Sequence, residues 1–328
     1  DPAWSITASV VFVMLVQGLS GVAKDLAKMS SKSAVKILAP ATGGGLFRWV
    51  ATLTGSKNAV KGSGFLLGAV LLAAFGFVPS VLTMAAVLFV ILIGVVTGMP
   101  KGLPVGRKDA KFSEVFSKNR NINWLSAARL FLFGARDVWF VVGLPIYFYA
   151  VLSDGTTESN RTAFFMIGTF MAVWTILYGI VQGSAPRILK AASRSNAEIL
   201  ALAKRWVGLL VIVPAFLAGL VWLVPEPSNV LTVTIVLGLL VFGGIFAVNS
   251  ALHSFLILSL TDAKRVTMDV GFYYMANSVG RLVGTVLSGF TYQMGGLSLC
   301  LGTATLMIGL GWLGTSQLKA PKTAKVAA

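Results

Sequence analysis

Arg129 and Arg136 stand seven residues apart in the apolar stretch Leu125–Tyr149. Two helical turns separate them, so both fall on one face, with Phe133 near the line between them. Asp137 follows one residue round the helix. A charge at mid-membrane costs roughly 3 kcal/mol on insertion scales, and such side chains usually face a cavity or a partner. Two guanidiniums on one stripe suit a phosphate or a similar oxyanion, because each offers a bidentate fork. The competing reading for Arg136 is a structural ion pair with a neighbouring carboxylate. Asp137 is accordingly a candidate for an ion pair or for proton coupling.

Lys57 and Lys61, four residues apart, share a second face in Gly55–Gly64. Either they snorkel to the membrane interface or they reach the same cavity as the arginines. Gly62, Gly64 and Gly68 would let another helix backbone approach closely. Lys24, Lys28, Lys32 and Lys36 recur every four residues and make one basic stripe. That stripe reads first as a solvated face, and secondly as a funnel that concentrates an anion. Further along, Asn249, Ser250, His253 and Ser254 form one polar patch, and Tyr274, Asn277, Ser278 and Arg281 form another on helical spacing. The second could complete an anion site, or both could serve interhelical hydrogen bonds. His253 reads as a structural donor before a proton relay. The candidate binding set is therefore Arg136, Arg129, Lys61, Lys57, Arg281, Asn277, Tyr274 and Asn249. No catalytic residues, cofactor or metal are expected. There is no G-x-x-x-x-G-K-[ST] loop, and Gly43-Gly44-Gly45 lacks the Lys and Ser that a phosphate loop needs. Paired carboxylates are missing too. A lone His253 and a lone Cys300 argue against a histidine-built metal site and against a disulfide framework.

The elements that must position these residues follow from composition. Hydrophobic residues make up 56% and charged residues 12% of the 328, against about 25% charged in a soluble domain, and the mean hydropathy is +0.84. A soluble enzyme domain, a disordered chain and a fibrous protein are excluded. A bilayer core takes about 20 apolar residues per helix. Nine stretches qualify: 5–22, 55–77, 79–99, 122–150, 162–185, 204–224, 229–258, 268–294 and 297–317. Runs such as Phe65–Phe77 are continuously apolar, unlike the alternating strands of a barrel. The expectation is an all-α polytopic membrane protein.

Charge orients it. The connections 23–54, 100–121, 186–205, 259–267 and the tail after 317 hold 21 of the 27 Lys and Arg, and the opposite connections hold only Arg161. The basic side is expected to be cytoplasmic, with the C-terminus inside. The net charge of +16 then orients the chain and does not call for nucleic acid as a partner. Residues 1–99 read as a partial N-terminal bundle of three spans, 100–121 as a cytoplasmic central loop, 122–318 as a C-terminal six-helix bundle, and 319–328 as a basic tail. A six-helix bundle after a basic loop suggests a two-half transporter whose first half lacks three helices. The chain opens on Asp1, and no basic segment precedes the apolar run Ile6–Val16, so a start cut upstream is expected rather than a signal peptide.

Three stretches carry a more specific pattern: Ser20–Leu38 (SGVAKDLAKMSSKSAVKIL), Arg48–Gly68 (RWVATLTGSKNAVKGSGFLLG) and Leu125–Tyr149 (LSAARLFLFGARDVWFVVGLPIYFY). Together they resemble the ArsJ-type organoarsenical efflux permeases, a bacterial branch of the major facilitator superfamily. Gly179–Arg187 and the last two spans extend the likeness more weakly. The resemblance implies a partial major facilitator fold with the last three helices of the N-half and six of the C-half. It also implies residence in the bacterial inner membrane and export of 1-arseno-3-phosphoglycerate, the product of glyceraldehyde-3-phosphate dehydrogenase acting on arsenate. That dehydrogenase would be a functional partner. Other readings are an organophosphate or organic-anion permease and a non-transporting remnant.

Overall fold

A computed structural model describes residues 4–38, 45–98, 117–224, 226, 228–262 and 265–319. Among them the chain is all-helical, with no strand. Seven helices are long and apolar enough to cross a membrane. The central loop falls almost wholly outside the described residues, as does the tail beyond Lys319.

The helices are α1 (Ile6–Leu38), α2 (Gly45–Phe75), α3 (Phe77–Gly98), α4 (Arg120–Val138), α5 (Leu144–Leu152), α6 (Thr157–Ile188), α7 (Asn196–Leu223), α8 (Asn229–Leu260) and α9 (Val266–Ser316). One π-helical turn, Trp139–Gly143, joins α4 to α5, so that Arg120–Leu152 forms a single crossing. Ser288 Oγ accepts hydrogen bonds from the Val142 and Gly143 amides at 3.3 and 3.1 Å, which fixes this turn against α9. The 51 residues of α9 are too long for one crossing and break at Gly295 and Gly296. Gly296 takes φ +61 and ψ −155 there, a backbone region essentially restricted to glycine. The two arms match the expected stretches 268–294 and 297–317. The expected stretch 55–77 falls largely in α2, which is not among the seven helices counted over the described residues.

Aromatic side chains fill the core of the C-terminal part. Trp139 packs edge-on against Trp174 and Phe242, and Phe242 stacks on Phe246. The closest approaches are made by glycine. A Cβ on Gly280 would run into the Leu130 backbone, and one on Gly284 into the Gly134 backbone, which draws α9 against α4. Gly55 meets Gly179 and Gly183 in the same way, and Gly62 meets Ala172 and Ile176, joining α2 to α6. Of the three glycines expected to permit close approach, Gly62 does so, whereas Gly64 and Gly68 face open space.

α3 packs mainly on α2. Its large apolar side chains, among them Leu82, Leu88, Phe89 and Val96, are exposed. A contiguous apolar surface of that extent is what hydrocarbon surroundings require and water would not tolerate. The described parts of the basic connections gather at one end of the bundle. Asn119 at the start of α4 donates to the Leu260 carbonyl at 3.1 Å, and Asn121 exchanges hydrogen bonds with the Lys319 backbone at 2.9 and 3.0 Å. The loop Leu152–Thr157, closed by Asp154 and Asn160, lies at the other end of the α5–α6 pair.

Candidate functional site

A cavity of about 600 Å³ opens between α1, α2, α4, α8 and the first arm of α9. It brings together seven of the eight binding candidates: Arg129, Arg136, Lys57, Lys61, Tyr274, Asn277 and Arg281. Asn249 and His253 are buried in α8 and line no part of it. Lys24 and Lys28 line the cavity as well, so the inner half of the lysine stripe is not simply a solvated face. Lys28 Nζ sits 3.8 Å from the Tyr274 ring centroid and 3.3 Å from Asp25. Lys32 and Lys36 lie in α1, but their side chains fall outside what the structure describes. Seven basic side chains thus line the cavity, against one acid, Asp25.

The two arginines of α4 have different surroundings. Asp137, 0% exposed, is held from both sides: Arg136 reaches one of its oxygens at 2.5 Å and Arg281 the other at 2.7 Å. The ion pair that competed with the cavity reading for Arg136 therefore exists, Arg281 from α9 joins it, and Arg136 still lines the cavity. Arg136 and Arg281 share one negative charge, leaving donors on both directed elsewhere. The Arg281 side chain is 43% exposed and the Arg136 side chain 13%.

Arg129 is more enclosed, at 4% exposure. Its Nε donates to Asn277 Oδ1 at 3.1 Å and its Nη1 to Ser250 Oγ at 3.2 Å. The guanidinium carbon lies 3.6 Å from the Phe133 ring centroid and 5.1 Å from that of Tyr273. These partners are neutral, and no carboxylate among the described residues pairs with it. Phe133 also sits between the two arginines, 5.1 Å from Arg136, as the helical spacing requires.

One polar line had no signal in the sequence. Asn58 Nδ2 donates to Gln182 Oε1 at 2.5 Å, and Gln182 Nε2 donates to Ser250 Oγ at 2.9 Å. With Arg129 and Asn277 this line joins α2, α6, α8, α4 and α9 through one buried serine. Asn58 and Gln182 lie 124 positions apart, so neither spacing nor composition could have paired them. Asp25 went unread for a similar reason, being one acid inside a basic stripe.

On charge, the arrangement favours an anionic ligand. Burying a cation without a counter-charge is costly. Hydrogen bonds and ring faces moderate that cost at Arg129 without neutralising it. An incoming phosphate or carboxylate would supply the missing charge and meet donors from α1, α2, α4 and α9 together. Arg129 and Arg136 are separated by about 10 Å of helix, which suits a ligand with two anionic ends. No protein-family model matches the chain, and no curated protein matches it.

Proposed function

We propose that the chain is a membrane permease for a small organic anion, acting without a covalent step, and that its cargo is a doubly anionic phosphorylated organoarsenical. The observation that carries the anion is Arg129, a buried guanidinium on neutral partners at the wall of a cavity lined by seven basic side chains. A cation carrier would show the opposite balance. Residence in the membrane rests on the seven apolar helices. The arsenical, 1-arseno-3-phosphoglycerate, rests on the resemblance of the α1, α2 and α4 stretches to ArsJ-type permeases. Its phosphate and arsenate-type acyl group would engage the Arg129 and Arg136–Arg281 regions of the cavity.

In this reading the chain belongs to a major facilitator fold in the bacterial inner membrane. The loops rich in Lys and Arg lie in the cytoplasm, and transport proceeds by rocking of two bundles around the mid-membrane site. Glyceraldehyde-3-phosphate dehydrogenase supplies the cargo. Arsenic-sensitive cells expressing the full protein with that dehydrogenase should gain resistance to arsenate but not to arsenite. Equal protection against arsenite would overturn the assignment of cargo. Export of phosphorylated anions lacking arsenic would instead favour a general organophosphate permease.

A further inference from the structure

A second cavity, of about 790 Å³, lies between α2 and α6 on the opposite side of α2 from the anion site. The Asn58–Gln182 hydrogen bond lies between the two. Arg48, Arg187 and Lys190 line its mouth at the basic end of the bundle, and all three are exposed. No carboxylate among the described residues pairs with any of them. Farther along, the wall changes to Gly55, Ala59, Gly179 and Ile180, with Thr52 and Ser56 between. Arg48 and Ala59 are eleven residues apart on α2, so this polar-to-apolar gradient runs along about 16 Å of helix.

Helix polarity alone accounts for part of the mouth. Arg187 is in the last turn of α6, where the macrodipole favours a cation, and Lys190 follows it in a left-handed conformation at φ 49. Arg48 is different. It occupies the first turn of α2, where the macrodipole disfavours a cation, and no acid is present in that turn. Three cations with no carboxylate partner among the described residues therefore converge on one opening. A small inorganic anion would use the mouth and leave the apolar length behind it empty. An amphiphile uses both.

We propose that this cleft seats an anionic phospholipid, with the phosphate at Arg48, Arg187 and Lys190 and one acyl chain along the glycine-lined wall. Basic pockets between membrane helices take headgroups of this class. The lipid would bridge α2 and α6, the contact between the N-terminal and C-terminal parts of the chain, and so would stiffen that contact. The site does not depend on the identity of the transported cargo.

The test uses the purified protein in nanodiscs of phosphatidylcholine with or without phosphatidylglycerol, read by native mass spectrometry and thermal melting. Phosphatidylglycerol should be retained in preference to phosphatidylcholine and should raise the melting temperature. Each basic residue near an anionic headgroup contributes about 1 kcal/mol, so R187Q/K190Q should weaken retention roughly 30-fold. S56W fills the apolar length with the three cations intact, and it should also abolish retention while anion binding at Arg129 persists. Equal retention of the two lipids, or retention unaffected by either variant, would overturn the proposal. Displacement of the lipid by millimolar glycerol phosphate would overturn it as well, because the site would then be one for a small anion.

Discussion

Arg129→Gln removes a guanidinium that is 4% exposed and donates to Asn277 and Ser250 with no carboxylate in contact. If an anion completes this charge, the loss falls on binding. A hydrogen bond to a charged group is worth about 1.5–3 kcal/mol, or roughly 10- to 150-fold in Kd. Arg129→Lys keeps the charge but cannot direct donors to Asn277, Ser250 and a ligand in one plane, so a loss of about tenfold is expected. Folding should respond differently. Glutamine can still donate to one of the two acceptors, and it relieves an uncompensated buried charge, so ligand-free stability should change by no more than about 1 kcal/mol. The assay is isothermal titration with 3-phosphoglycerate, a stable compound sharing the phosphorylated end of the proposed cargo, alongside thermal melting. Wild-type affinity in Arg129→Gln, with a clear drop in melting temperature, would refute the reasoning and make Arg129 a structural strut.

Asp137→Asn should cost about 3–5 kcal/mol of stability, since Arg136 and Arg281 lose the carboxylate they share. The same change should make 3-phosphoglycerate raise the melting temperature by more than in wild type, and a smaller rise would show that Asp137 supports the site instead of competing with the ligand. Gly280→Ala places a methyl group against the Leu130 backbone and should destabilise by about 1–3 kcal/mol; an unchanged melting temperature would mean that α4 and α9 can move apart freely. In the loop after α5, hydrogen bonds from Ser159 and Thr156 hold the Asp154 carboxyl down at about 2. Because that value lies below the ordinary one, the loop's contribution is complete above about pH 4 and is lost as pH falls toward 2. Proteolysis between Asp154 and Ser159 should therefore quicken below pH 3 in wild type, and Asp154→Asn should already be sensitive at pH 7. A reporter fused after Ala328 should be active in the cytoplasm and one at Gly155 outside; the reverse would overturn the orientation.

The helical architecture was legible because its causes are local. Continuous apolar runs can satisfy their backbone in lipid only as helices, and the gap between the stretches 268–294 and 297–317 marked the turn in α9. The stripe on α4 was legible too, since a seven-residue spacing fixes Arg129, Phe133 and Arg136 on one face whatever packs against it. What each arginine does there was not. The spacing treats the two alike, yet Arg136 has Asp137 beside it, whereas Arg129 is the one on neutral partners. That distinction depends on Asn277 and Ser250 arriving from α9 and α8, 148 and 121 positions away. The part played by Lys28 depends likewise on the Tyr274 ring. α2 was read as one face carrying Lys57 and Lys61, but its other side meets α6 through Gly55 and Gly62. Two functions on one helix blur any single periodicity.

Transport of the arsenical itself is tested most directly in everted membrane vesicles containing the full protein, with arsenic measured inside. The medium would hold glyceraldehyde-3-phosphate dehydrogenase, its triose phosphate substrate, NAD and arsenate. Arsenic should accumulate only when all four are present, and Arg129→Gln should abolish the accumulation. Accumulation that persists without the dehydrogenase, or none with the complete mixture, would contradict export of a phosphorylated organoarsenical.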